Sequence, residues 1–168
     1  MERSRTSIEE AIVAGKTQVP AVEGWFTTDP DRPALLGTQC TTCQAIFFPR
    51  EESFCRNPQC MGREFTEREL SRTGTVWSFT DNRYQPPPPY MSSDPFEPYT
   101  IAAVELADEQ MVVLGQVVPG VAIDDLHAGM QVELVLGPLY ERARDEFGQL
   151  GLTREVTAID AILRTAPA

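Results

Sequence analysis

Four cysteines, one histidine and one lysine are the side chains here best suited to metal or covalent chemistry. The cysteines all fall between residues 40 and 60, as Cys40-Thr41-Thr42-Cys43 and Cys55-Arg56-Asn57-Pro58-Gln59-Cys60, with eleven residues between the pairs. Thiolates arriving in two short knuckles are what a tetrahedral zinc ion takes. Two intervening residues let the backbone turn so that both sulfurs face the metal, and Asn57-Pro58 supplies the turn in the wider pair. Two disulfides, or an iron ion in the same geometry, are the competing uses of these sulfurs. Zinc is the reading preferred, because nothing in the sequence points to an oxidising compartment or a redox partner. Four thiolates close the coordination shell, so one structural ion is expected, with no position open to a reacting water.

Outside the cysteines the catalytic inventory is short: His127, Lys16 and the carboxylates and tyrosines. That excludes most nucleophile-and-base arrangements, and no paired carboxylate constellation stands out. The formal net charge is −11 over 168 residues, and a zinc ion with four thiolates adds −2. Thirteen acids against four arginines follow from Asp94 onward, whereas Arg50 to Arg83 carries six of each. A nucleic-acid backbone calls for a basic surface, so nucleic acid is not expected as a partner. No run approaches ~18 apolar residues, and Met1-Glu2-Arg3-Ser4-Arg5 leads into no hydrophobic stretch. No membrane association and a cytoplasmic location are therefore expected.

The elements that must position the cysteines can be read from the local pattern. Ser7 with Glu10 forms a capping box, Ile8, Ala11 and Ile12 share a face, and Gly15 is a stop, which predicts a short helix over 7–15. Pro20 begins an extended linker. Ala45-Ile46-Phe47-Phe48-Pro49 predicts the strand between the knuckles, and 63–72, of mixed charge, reads as a connector. Strands follow at Thr75–Thr80, Tyr99–Leu106, Met111–Val118 and Met130–Leu136, with a turn at Asp108-Glu109-Gln110 and one helical turn from Asp124 to His127. The end is ambiguous in period and is taken as a closing strand, fraying after Thr165. The expected fold is mainly β with a short N-terminal helix: a helix and linker over 1–35, a zinc ribbon over 36–68, and a five-stranded OB-type barrel over 69–165.

Two features suggest contact with another protein. A zinc ribbon has too little volume to bury many aromatics. Phe47, Phe48 and Phe54 therefore either pack on the neighbouring domain or, with Trp25 and Phe26, form an exposed apolar patch. The run Gln85-Pro86-Pro87-Pro88-Pro89-Tyr90 is a stiff loop between strands, and Pro88 and Tyr90 are its candidate contacts.

The ordered set of Cys40-x-x-Cys43, Phe47-Phe48-Pro49-Arg50, the second cysteine pair, Gly74-Thr75-Val76-Trp77-Ser78-Phe79-Thr80, Pro98-Tyr99 through Leu106, and Gly129-Met130 resembles a known family. It is similar to the rubredoxin-like zinc-ribbon plus OB-fold proteins associated with acyl-CoA metabolism. The resemblance implies a non-catalytic companion subunit, in a hetero-oligomer with a thiolase-fold enzyme such as a thiolase or a lipid-transfer-protein-like aldolase. Its implied setting is steroid side-chain or aromatic degradation, or isoprenoid supply. It carries metal ligation onto Cys40, Cys43, Cys55 and Cys60, and no catalytic residue at all. This chain departs from the family at Gln44, where glycine is common, and in the four-residue spacing of its second cysteine pair. Acyl-CoA is expected to bind only jointly with the partner, beside Arg50, Arg56, Arg63, Arg72 or Arg83, although ordinary ion pairing explains any one of these arginines. A stand-alone acyl-CoA-binding protein, and a nucleic-acid-binding zinc-ribbon and OB module, are the alternatives.

Overall fold

The computed structural model describes residues 17–88, 95–143 and 155–165. In chain order the strands are β1 (Thr17–Pro20), β2 (Leu36–Cys40), β3 (Ile46–Phe47), β4 (Phe65–Glu69), β5 (Thr73–Asn82), β6 (Tyr99–Leu106), β7 (Val112–Val117), β8 (Gln131–Ala143) and β9 (Glu155–Thr165), with one 3-10 turn at Ile123–Asp125. They form a small sheet ordered β3-β2-β4 and a larger one ordered β1-β9-β7-β6-β5-β8, in which β9 also pairs β8.

The small sheet is antiparallel, with Thr38 opposite Phe47 on one side and Glu67 on the other. Residues 63–72 are thus not a connector. Phe65–Glu69 is the third strand of the ribbon, and its charges suit an edge strand, where they discourage further pairing. In the large sheet β5 and β6 pair from Gly74↔Leu106 to Asn82↔Tyr99, with a bulge between Val76 and Ser78. The Asp108–Gln110 turn then returns the chain along β6 as β7.

Two other expectations need correction. The large sheet has six strands, since Thr17–Pro20 is a strand parallel to β9 and not the start of a linker. The reason lies in the lengths. β9 runs eleven residues but meets the shorter β7 at only two pairs, Gln116↔Ile162 and Val117↔Leu163. The backbone groups left along β9 need partners, and β1 provides them. With β1 the large sheet has six strands, one more than the five expected of the barrel. The end does pair as a strand, from Val132↔Thr165 to Ala143↔Glu155. The helix expected over 7–15 and the tail after Thr165 lie outside the described residues.

Two apolar clusters hold the large sheet. One gathers Val76, Ala102, Val104, Val117, Val118, Leu126 and Val132 on its inner face. The other joins Phe26, Leu35 and Leu70 from around the ribbon to Leu106, Val113 and Leu134. Backbone bonds follow the same joint: the Leu70 amide donates to Leu35 O, and the Leu134 amide to Arg72 O. Arg72 Nε donates to Pro33 O at 3.0 Å. Glu109, its side chain 1% exposed, accepts from the Ser71 amide at 3.2 and 3.3 Å and faces Arg68. The void at this joint, lined by Leu35, Arg72, Leu106 and Leu134 among others, measures about 10 Å³. That is one water's worth of space, and a ligand site needs hundreds of Å³. No helix among the described residues is long and apolar enough to cross a membrane.

Candidate metal centre

Each knuckle is shaped by its own backbone bonds. β2 ends at Cys40, whose amide donates to Ala45 O, while the Gln44 amide returns to Cys40 O, both at 2.9 Å. This turn puts Gln44 at φ 64°, in the left-handed region that favours glycine. Its side-chain amide offsets part of that cost by donating to Thr41 O at 2.9 Å. In the second knuckle Asn57 Oδ1 accepts from the Gln59 amide, and the Cys60 amide donates to Asn57 O. The bond from Cys55 N to Gly62 O closes it, and Thr41 N to Glu64 O ties the two knuckles together.

The four sulfurs lie within 4.8 Å of one another. Cys40 Sγ is 3.8 Å from Cys60 Sγ, and Cys43 Sγ is 3.5 Å from Cys55 Sγ. Zinc–sulfur bonds of about 2.3 Å directed to the corners of a tetrahedron put sulfurs about 3.8 Å apart. A disulfide would need about 2.05 Å. A Cβ on Gly62 would stand 2.8 Å from Cys40 Sγ and 3.2 Å from Cys60 Sγ, and the Gly62 amide donates to Cys60 Sγ at 3.3 Å. Only glycine lets the chain come this close. The residues fit one zinc ion held by four thiolates.

Their electrostatics divide between the knuckles, with the thiols lowered at Cys40 and Cys43 and raised at Cys55 and Cys60. The Ala45 amide brings the Cys43 thiol down to about 6, and the Cys43 amide lowers Cys40. Burial pushes Cys55 up to about 12. Neighbouring thiols resist joint ionisation, and a divalent cation removes that resistance. Three of the four are buried, and Ala45, Phe47 and Phe65 pack around them. When bound, zinc supplies a cross-link between knuckles that have little other core.

A brace stands beside the centre. Thr38 Oγ1 donates to Glu51 O at 3.0 Å and accepts from the Glu51 amide at 2.9 Å, both buried. The Glu51 carboxylate accepts from the Ser53 and Glu52 amides at 3.1 Å and pairs with Arg56 of the second knuckle. The Ser53 amide and then Arg56 hold it below the usual carboxylate range. Thr38, Glu51 and Gly62 were not singled out from the sequence. The Cys60-Met61-Gly62 step, with glycine two places after a ligand, was the one signal available for them.

The expected partner contacts scatter. Phe26, at 4% exposed, is core and unavailable to a partner while the chain is folded. Phe48 packs against the same cluster, with Trp25 edge-on at 5.7 Å. Phe47 lies against the cysteines and edge-on to Phe65. Trp25 and Phe54 are exposed, as is Pro88, while Tyr90 lies outside the described residues. The aromatic patch is thus divided between core and surface. Among the arginines, Arg50 pairs with Glu67 and Glu52, Arg56 with Glu51, and Arg83 with Asp81. Arg72 is held at Pro33, and Arg63 is exposed.

Residues 27–66 match the model of the ChsH2 rubredoxin-like zinc ribbon domain, and 67–137 that of the ChsH2 C-terminal OB-fold domain. A DUF35 domain-containing scaffold protein of Methanocaldococcus jannaschii is 33% identical over 116 residues, 68% of this chain and 76% of that protein. The benzoylsuccinyl-CoA thiolase subunit BbsA of Thauera aromatica is 43% identical over 54 residues, 32% of this chain and 35% of its own length. Among solved structures, an Ltp2-ChsH2(DUF35) aldolase chain is similar with a TM-score of 0.50 at 28% identity, covering 83% of this chain and 98% of that one. A four-cysteine ribbon followed by an OB-fold, matched in this order by both models, places the chain in the ChsH2-type (DUF35) family of rubredoxin-like zinc-ribbon and OB-fold proteins.

Proposed function

We propose that this chain is a non-catalytic accessory subunit that docks on a thiolase-fold enzyme, a thiolase or a lipid-transfer-protein-like aldolase, and supports its processing of acyl-CoA. The observation that carries this reading is the likeness over 98% of a chain from an Ltp2-ChsH2(DUF35) aldolase. The shared segment with a benzoylsuccinyl-CoA thiolase subunit supports it. The centre itself points the same way, because four thiolates leave the ion no position for substrate or water. His127 is exposed and only approaches its neighbour's carbonyl, Ala128 O, at 3.2 Å. The substrates are acyl-CoA thioesters of steroid side-chain or aromatic degradation, bound jointly with the enzyme.

Co-expression with each thiolase-fold enzyme of the same genome, followed by size-exclusion chromatography and assay of acyl-CoA cleavage, tests the reading. One enzyme should co-elute with this chain and gain activity or solubility from it. Turnover by the chain alone, or co-elution with no enzyme of the set, overturns it. Cys55→Ser should lose zinc and the complex together, read by metal analysis of the same fractions.

A further inference from the structure

The strand pairing of the large sheet is incomplete along β7. Leu106 N donates to Met111 O, so Met111 is turned toward β6. The register Val104↔Val113 and Glu105↔Val112 continues from there. Backbone direction alternates along an antiparallel strand, so Val113 also turns toward β6, while Val112 and Leu114 turn away. Gln116, next in the outward series, finds β9 at Ile162. Val112 and Leu114 have no strand on that side among the described residues, because β9 parts from β7 there and pairs with β1 at 156–159. Their side chains are open as well: Leu114 is 77% exposed and Val112 45%. An edge with free amide and carbonyl groups and bare aliphatic side chains is a template for another strand.

The geometry points to the β7 edge at Val112–Leu114 as the place where the partner enzyme adds an extended segment to the sheet. This rests on the accessory-subunit reading and names the surface that reading leaves open. The unpaired groups are peptide donors and acceptors, so the occupant is a polypeptide in extended conformation. Alternate side chains of that segment are apolar, to cover Val112 and Leu114. Glu105 is exposed and directly opposite Val112 on β6, so the segment carries a lysine or arginine long enough to reach across. The same charge argues against a second copy of this chain, since each copy brings its own Glu105 and a net −11 to the contact.

The test uses full-length chain and the enzyme that co-elutes with it. Val112→Pro removes an amide that points away from β6 and spares the ladder to β6. Leu114→Asp puts a charge where an apolar side chain is needed. With zinc content and melting temperature unchanged, each should weaken the complex at least tenfold, while Thr80→Asp, exposed on β5 opposite Ile101, should not. In the wild-type complex the Val112 and Leu114 amides should exchange hydrogen at least tenfold more slowly than in the free chain, a readout that needs no variant. A complex that forms while both variants bind normally and these amides exchange freely overturns the edge assignment and leaves the accessory role intact. No complex with wild-type chain overturns both. A wild-type dimer in sedimentation that Leu114→Asp converts to monomer overturns it in favour of self-pairing.

Discussion

Gly62 shows how closely one position is bound to the metal site. Its missing Cβ leaves room for Cys40 Sγ at 2.8 Å and Thr42 Oγ1 at 2.9 Å from where that atom would stand. Its amide meanwhile reaches Cys60 Sγ. Gly62→Ala should therefore push two ligands apart and cost about 10–100-fold in zinc affinity, as other changes just outside a metal's ligands do. Competition with a chromogenic chelator measures it, and unchanged affinity would show that the knuckle can shift freely. Gln44 is the opposite case. Its left-handed backbone is a glycine position occupied by a residue with a side chain, which the bond to Thr41 O partly offsets. A glycine at this position would carry no such cost.

At the scale of elements, two braces hold the ribbon and its junction. Glu51 ties β2, through Thr38, to the second knuckle, through Arg56. Its carboxyl is held below the ordinary value of 4.5 by the Ser53 amide and Arg56. The unfolded chain therefore takes up this proton more readily than the folded one. The stabilisation is fully present above about pH 4.5 and is lost as pH falls through the folded value. The advantage of wild type over Glu51→Gln in urea midpoint should be largest at pH 7 and shrink on acidification below 4.5. An advantage that grows on acidification would rule out the carboxylate as the brace. Glu109, in the β6–β7 turn, is the other brace, accepting from Ser71 where the ribbon leaves for β5. Glu109→Ala strands a part-buried amide and should cost about 1–3 kcal/mol by denaturant titration. A loss below a few tenths would mean that water replaces the carboxylate fully.

For the whole molecule, the joint between ribbon and large sheet is a shared apolar core. Phe26, carried by the segment ahead of the ribbon, packs with Leu70 and with Leu106, Val113 and Leu134 of the sheet. Phe26→Ala should cost about 3–5 kcal/mol. It should loosen both parts in one transition, seen by calorimetry as a single lowered peak. Two separated peaks in the wild type would show that the parts melt independently. The two halves differ in what holds them: the ribbon depends on its ion, and the sheet on the Val76, Val104 and Val132 cluster.

The spacing of Cys40, Cys43, Cys55 and Cys60 determined the metal site unaided, because ligand type and knuckle geometry are local properties of a few consecutive residues. The β-branched runs determined β6 to the residue, all of β7, most of β5 and the first part of β8 for the same reason, since strand preference and alternation are written along the chain. Only the tertiary structure decided that Phe26 is core, that the charged stretch at Phe65–Glu69 is a strand, that β1 joins the sheet, and that Val112 and Leu114 face an open edge. Each of those depends on which distant segment arrives alongside, and a backbone group or an aromatic ring takes its role from that neighbour.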